Sequence, residues 1–111
     1  MSNSSLQSAR DRAAKRQAGL CHYCELPMLL PATPASRKLP SFVVSAEHLV
    51  ARCDGGCDTA PNIVAAHVVC NQRRHKRPDP LPPEDYKGLV KRRMARGRWH
   101  PDSVVKRLRT L

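Results

Sequence analysis

Two sets of residues in this 111-residue chain have the types and spacing for chemistry. The first is built on cysteine. Cys21-x-x-Cys24 is a short knuckle whose two thiolates can point at one tetrahedral ion. A knuckle needs a second pair, and the sequence offers two. His67-x-x-Cys70 places ligands at i and i+3, on the same side of an expected helix, whereas Cys53-x-x-x-Cys57 surrounds an Asp-Gly-Gly turn. The helix-borne pair is favoured, because it would pin a loop-rich N-terminal segment to the one long element. Cys21, Cys24, His67 and Cys70 then form a closed Cys₃His structural zinc site that supplies much of the folding energy. Each of these residues alone would read as a small buried hydrophobe or a core histidine, but two short-spaced pairs do not. Cys53 and Cys57 remain as hairpin side chains, a redox-sensitive pair or the rival half of the zinc site. His22, inside the knuckle, reads as an exposed polar residue.

The second set is Glu47-His48, Asn62, Asn71 and His75. Asn71 and His75 are i and i+4, so on a helix they share a face. Singly, Asn62 reads as a helix cap and His75 as part of a solvated basic face. Together they have a different meaning. A carboxylate and an amide oxygen are hard ligands suited to Mg²⁺ or Mn²⁺, whereas thiolates suit zinc. An imidazole titrates near neutral pH and can take a proton. Two chemically distinct metal sites follow from ligand type.

The elements that must position these residues are short. Residues 1–19 form a basic arm, helical over Gln7 to Ala18 and frayed for want of apolar periodicity. Pro27 to Pro40 is too proline-rich for a helix or an inner strand. Phe42 to Ala46 has strand character and leads into Glu47-His48-Leu49-Val50, and Asp54-Gly55-Gly56 is a strong turn signal. Asn62 to Lys76 contains no Gly or Pro, and a helix is expected from near Ile63. Pro78 to Pro83 is a rigid linker. Glu84 to Arg96 is expected to be a helix with acids early, bases late and Gly97 at its stop, and Asp102 to Arg109 a last short basic helix. The expected division is 1–19 arm, 20–77 core domain and 78–111 helical extension.

Composition narrows the class. The chain has one Trp, one Phe and two Tyr, and 10 prolines interrupt it, so its core is too thin to do without a staple. Five cysteines, an odd number, and the lack of an N-terminal apolar run favour a reduced cytoplasmic protein with zinc thiolates over a secreted disulfide scaffold. Twenty Lys and Arg against nine Asp and Glu give a net charge of +11. These bases cluster at Arg10 to Arg16, Arg73 to Arg77 and Lys91 to Arg98, which favours a nucleic-acid partner. No basic segment carries the broad apolar face of a membrane-surface helix, and no run approaches the roughly 20 apolar residues of a membrane span.

In this order the motifs resemble those of the HNH endonuclease family. Residues 21–77 carry Cys-x-x-Cys, then Ser45-Ala46-Glu47-His48-Leu49-Val50, Asp54-Gly55-Gly56, Asn62-Ile63-Val64 and Cys70-Asn71 with His75. Glu47 stands where the family commonly has Asp, and His67 where many zinc-stapled members have Cys. Both replacements keep the chemical function. The resemblance implies a small α+β fold, a ββα-metal core stapled by structural zinc and flanked here by N- and C-terminal helices. It implies His48 as general base, Asn62 holding the loop and the base, Glu47 and Asn71 as ligands of a catalytic Mg²⁺ or Mn²⁺, and His75 ligating metal or touching phosphate. Arg73, Arg74, Lys76 and Arg77 would hold the DNA backbone beside the active helix, and Trp99 would be a packing anchor.

The expected function is therefore metal-dependent hydrolysis of DNA phosphodiester bonds in a bacterial or phage-infected cell. A homodimer or a place as a subunit of a larger assembly is compatible with this, since one active site cuts one strand. The alternative is a non-catalytic zinc-stapled module that only binds nucleic acid. A weaker third reading is a zinc-stabilised interaction protein whose charge serves solubility.

Overall fold

Val44–His48 (β1) and Ile63–His67 (β2) pair antiparallel, with Val44 opposite His67 and His48 opposite Ile63. The computed structural model describes residues 3–111, so the first two residues of the expected arm lie outside the described residues. A two-stranded sheet is marginal in water unless its faces and edges are covered. Both are covered here. Asn3–Arg16 (α1) packs on the strands through Ala9 and Ala13, which are 1% and 0% exposed. Ala13 packs with Val44 and Ala65, and the two small side chains, one turn apart, let the helix lie close on the strands. The frayed arm expected from weak periodicity is thus a docked helix, because an alanine face buries without a large hydrophobic signal.

Gln17 closes the outer edge of β2. Its amide donates to the Ala65 and Leu20 carbonyls at 2.8 Å and accepts from the Ala65 N–H at 2.9 Å. On the other side, Leu29 exchanges backbone bonds with Phe42 and Val44, covering the edge of β1. The segment after the knuckle is not irregular throughout. Thr33 and Ser36 form a capping box that starts the short helix Pro34–Lys38 (α2), with Pro34 in the first turn.

The helix expected over Asn62 to Lys76 is divided. Residues Ile63 to His67 are β2, and only Val68–His75 (α3) is helical. An unbroken apolar run fits a buried strand as well as a helix, and pairing with β1 decides for the strand. His67 is therefore the N-cap of α3, in extended conformation, and not a helical residue. The first strand also begins later than expected, at Val44, because Pro40–Phe42 is a 3-10 turn.

Pro83–Ala95 (α4) and Asp102–Arg109 (α5) pack Tyr86, Val90, Trp99 and Leu108 into one core with Cys21, Tyr23, Cys24, Leu26, Leu29, Phe42 and Cys70. The result is a small α+β fold whose main core contains three of the cysteines. Among the described residues no helix is long and apolar enough to cross a membrane. Gln17→Ala should cost about 1–2 kcal/mol, because it strands a partly buried Ala65 N–H. Lys15→Ala, at an exposed position, should stay within about 0.5 kcal/mol of wild type when both are compared by urea unfolding.

Candidate metal centre and the Glu47 and His48 clusters

The knuckle and the β2–α3 junction meet in the core. One ligand atom from each of Cys21, Cys24, His67 and Cys70 lies within 4.8 Å of the others, and all four side chains are buried. Tetrahedral zinc with bonds of the usual lengths needs sulfurs and nitrogen about 3.6–3.8 Å apart. His67 Nδ1 lies 3.2 Å from Cys24 Sγ and 3.9 Å from Cys70 Sγ, so the four could hold a metal ion of that kind. The His67 tautomer fits. Its Nε2 lies 2.9 Å from the Pro27 carbonyl and must donate to it, leaving the Nδ1 lone pair for the cluster. Further N–H groups face the sulfurs: the His67 backbone N–H at 3.4 Å from Cys21 Sγ and the Trp99 indole N–H at 3.4 Å from Cys70 Sγ.

The thiols compete for ionisation. Burial raises Cys21, but contacts with Cys24, Cys70 and His67 outweigh it and hold this thiol far below its usual range. Contact with Cys21 then pushes Cys24 up to about 12, and contacts with Cys21 and Cys24 raise Cys70 further. A protein interior accepts one such thiolate, whereas three need a cation between them. Cys53 and Cys57 are both exposed and stand apart from this group, so the rival pairing is not supported. The i, i+3 helical geometry expected for His67 and Cys70 is also corrected. A strand end and a first helical turn bring them together instead.

Glu47 lies on the other side of this core, 1% exposed. Its Oε2 accepts from the Tyr23 hydroxyl at 3.0 Å and from Arg74 Nη1 at 3.3 Å, while Oε1 lies 2.9 Å from His75 Nε2. Burial and then the Glu47 charge push the Tyr23 phenol well above its usual range, which keeps it a donor. Arg74 also donates to the Leu81 carbonyl at 3.0 Å and is 7% exposed. Its expected place on a DNA-facing surface is corrected, because a buried carboxylate requires a cation or several donors. Arg73 turns inward too, donating to the Trp99 carbonyl at 2.8 Å with its guanidinium 4.8 Å from the indole centre. Lys76 and Arg77 remain exposed.

Neighbouring strand residues point to opposite faces. Glu47 turns to α3, and His48 turns to the loop between the strands. His48 Nε2 meets Asp58 Oδ1 at 2.7 Å. Arg52 grips the same carboxylate with Nε at 3.1 Å from Oδ1 and Nη2 at 2.9 Å from Oδ2. Asn62 clamps the loop: its Oδ1 accepts from the Val50 N–H at 2.7 Å, and its Nδ2 donates to the Val50 and Cys57 carbonyls at 3.0 and 2.9 Å. A Cβ on Gly56 would overlap the Val50 carbonyl, so only glycine fits that closure. Asn71 donates through Nδ2 to the Ala46 carbonyl at 3.0 Å, tying α3 to β1.

The structure thus joins Glu47 to His75, gives His48 a separate partner, and sets Asn62 and Asn71 on backbone groups. Among the described residues no second group of three His, Cys, Asp or Glu side chains converges. Sequence reasoning missed Tyr23, Arg52 and Asp58 as partners, since a tyrosine in a knuckle and ions in a loop carry no distinctive pattern. It also misplaced His22, which is half-buried with an enclosed, unpartnered Nε2 and is lowered by burial and by Lys87. Buried His100, lowered to about 4 by burial and by His67, stands with Nε2 3.8 Å from Cys70 Sγ. The chain matches no protein-family model, and no curated protein matches it at a significant level.

Two outcomes check this geometry. Cys70→Ala and His67→Ala should lose bound zinc, while Cys53→Ala and Cys57→Ala keep it, as read by metal analysis of the purified chains. Arg74→Ala should destabilise the zinc-loaded protein by about 3–5 kcal/mol, because it takes the permanently charged partner from buried Glu47. Arg77→Ala should change little.

Proposed function

We propose that the chain is an HNH-type nuclease that hydrolyses DNA phosphodiester bonds, with a structural zinc and a separate catalytic divalent cation. The observation that carries this reading is the pairing of Glu47 and His75 at 2.9 Å, on a strand and a helix, beside His48 at the end of the same strand. The order β1, β2, α3 supports a ββα core. Glu47 and His75 are the two side chains that would hold the cation. Tyr23 and Arg74 occupy Oε2, which leaves Oε1 facing His75, and the His75 side chain is 41% exposed. Such a site suits Mg²⁺ or Mn²⁺, which bind through few protein ligands and keep several waters. When bound, the ion would supply positive charge at the phosphoryl oxygens.

The chain's own residues do the rest. His48 takes the proton of the attacking water, and Asn62 holds the loop that lies over it. Asn71, expected as a metal ligand, instead fixes α3 against β1 in this reading. Tyr23 and Arg74 orient Glu47. Exposed Lys76 and Arg77 continue from His75 and contact the DNA backbone, and the basic last turns of α4 and α5 add further cationic charge to the chain.

Supercoiled plasmid incubated with the zinc-loaded chain and Mg²⁺ or Mn²⁺ should be nicked. His48→Ala should lower the rate by about 10²–10⁴-fold while DNA affinity is retained. Salt-dependent DNA binding by a wild type that never nicks would replace this reading with the non-catalytic binding module.

A further inference from the structure

His48 and Asp58 are ten positions apart, and three separate features of the loop bring them together. Asn62 bonds the Cys57 carbonyl and both backbone groups of Val50, so the residue before Asp58 is tied next to the end of β1. Gly56 fits against the Val50 carbonyl where any side chain would collide. Arg52 forks onto both carboxylate oxygens beside the imidazole. The Asp58 side chain is 7% exposed and that of His48 17%, so the contact is sheltered from water.

The chemistry of this contact is directional. The His48 bond, followed by the Arg52 charge, holds the Asp58 carboxyl below its usual range, so it is ionised and can only accept. The hydrogen must lie on His48 Nε2. Arg52 Nε also comes within 3.3 Å of that nitrogen, but a protonated Nε2 cannot accept, and this N–H belongs to Asp58. The lone pair is then on Nδ1.

We propose that Asp58 is a positioning residue for His48, fixing its imidazole as the Nε2–H tautomer and leaving Nδ1 as the proton-accepting nitrogen. The catalytic consequence rests on the nuclease reading, whereas the tautomer does not. In that reaction Nδ1 takes a proton from water, and the resulting hydroxide oxygen bonds to phosphorus. The P–O ester bond breaks, the leaving oxygen takes a proton from solvent, and His48 returns its own to solvent. Asp58 offsets the imidazolium charge during the step without itself being protonated. A purely structural Asp58 would serve only as the anchor of Arg52.

The test combines ¹⁵N NMR of the histidine rings, at a pH where His48 is neutral, with plasmid nicking, both on the full zinc-loaded chain. Wild type should show His48 as the Nε2–H tautomer, with that proton slow to exchange. Asp58→Asn should shift the ring toward the Nδ1–H form and lower kcat for nicking by about 10–100-fold with KM for DNA unchanged. Asp58→Glu should recover part of the rate. Equal zinc content shows that the variants are folded, and the wild-type spectrum alone decides the tautomer if they are not. A wild-type Nδ1–H tautomer, or a ring unaffected by Asp58→Asn, overturns the proposal. So does full-rate nicking by Asp58→Asn. If wild type does not nick but its tautomer depends on Asp58, the pairing stands and the nuclease reading fails.

Discussion

Three thiols packed beside an imidazole at the centre of a thin core repel one another as soon as a second sulfur ionises. Tyr23, Tyr86, Val90 and Leu108, among the largest buried side chains of the fold, share one core with that cluster. Cys21 is driven down while Cys24 and Cys70 are driven up, the pattern of a site whose charges need a cation between them. The cluster ties the knuckle that follows α1 to the junction between β2 and α3. Through Cys70 it also ties in the C-terminal helices, since the Tyr86 hydroxyl donates to the Cys70 carbonyl at 2.6 Å and the Trp99 indole N–H faces its sulfur. The aromatic residues, few as they are, gather here: Tyr23, Tyr86, Trp99 and Phe42 are all buried beside the cluster. A metal ion held by this cluster would join segments that an apolar core of this size could not hold alone.

From that centre the charged groups are sorted by the parity of β1. Glu47 is carried into the protein, where Tyr23, Arg74 and His75 surround it, and His48 is carried toward the loop and Asp58. Each buried acid then recruits its own base, so Arg74 leaves the surface for Glu47. Arg52, itself exposed, reaches over to Asp58. The basic stretch Arg73 to Arg77 is consequently split between internal anchors and exposed charge. A cluster of arginines in a sequence does not reveal how many are already used to hold the fold.

Some of this was legible before any coordinates. The short spacings Cys21-x-x-Cys24 and His67-x-x-Cys70 identify metal ligands because two donors three residues apart converge in a knuckle, at a helix turn, or across a helix start. That tolerance is why the four side chains converge although His67 lies at a strand end and not in a helix. Proline and glycine punctuation located the linker, α4 and α5 for similar local reasons. The extent of α3 was less legible, since Ile63 to His67 owes its extended form to pairing with β1, a partner nearly twenty residues away. The docking of α1 was hidden because alanine buries well and signals weakly.

The sequence by itself determined the donor types: soft thiolates for one candidate site, a carboxylate, amides and imidazoles for the other, and a strongly basic chain around both. Those properties belong to side chains and short spacings, so they survive any error in placing elements. Only the tertiary structure decided the partners. It set Glu47 with His75 and Arg74, His48 with Asp58, and Cys53 and Cys57 with solvent. Those pairings depend on strand parity, loop closure at Gly56 and Asn62, and burial, which arise when distant segments pack together.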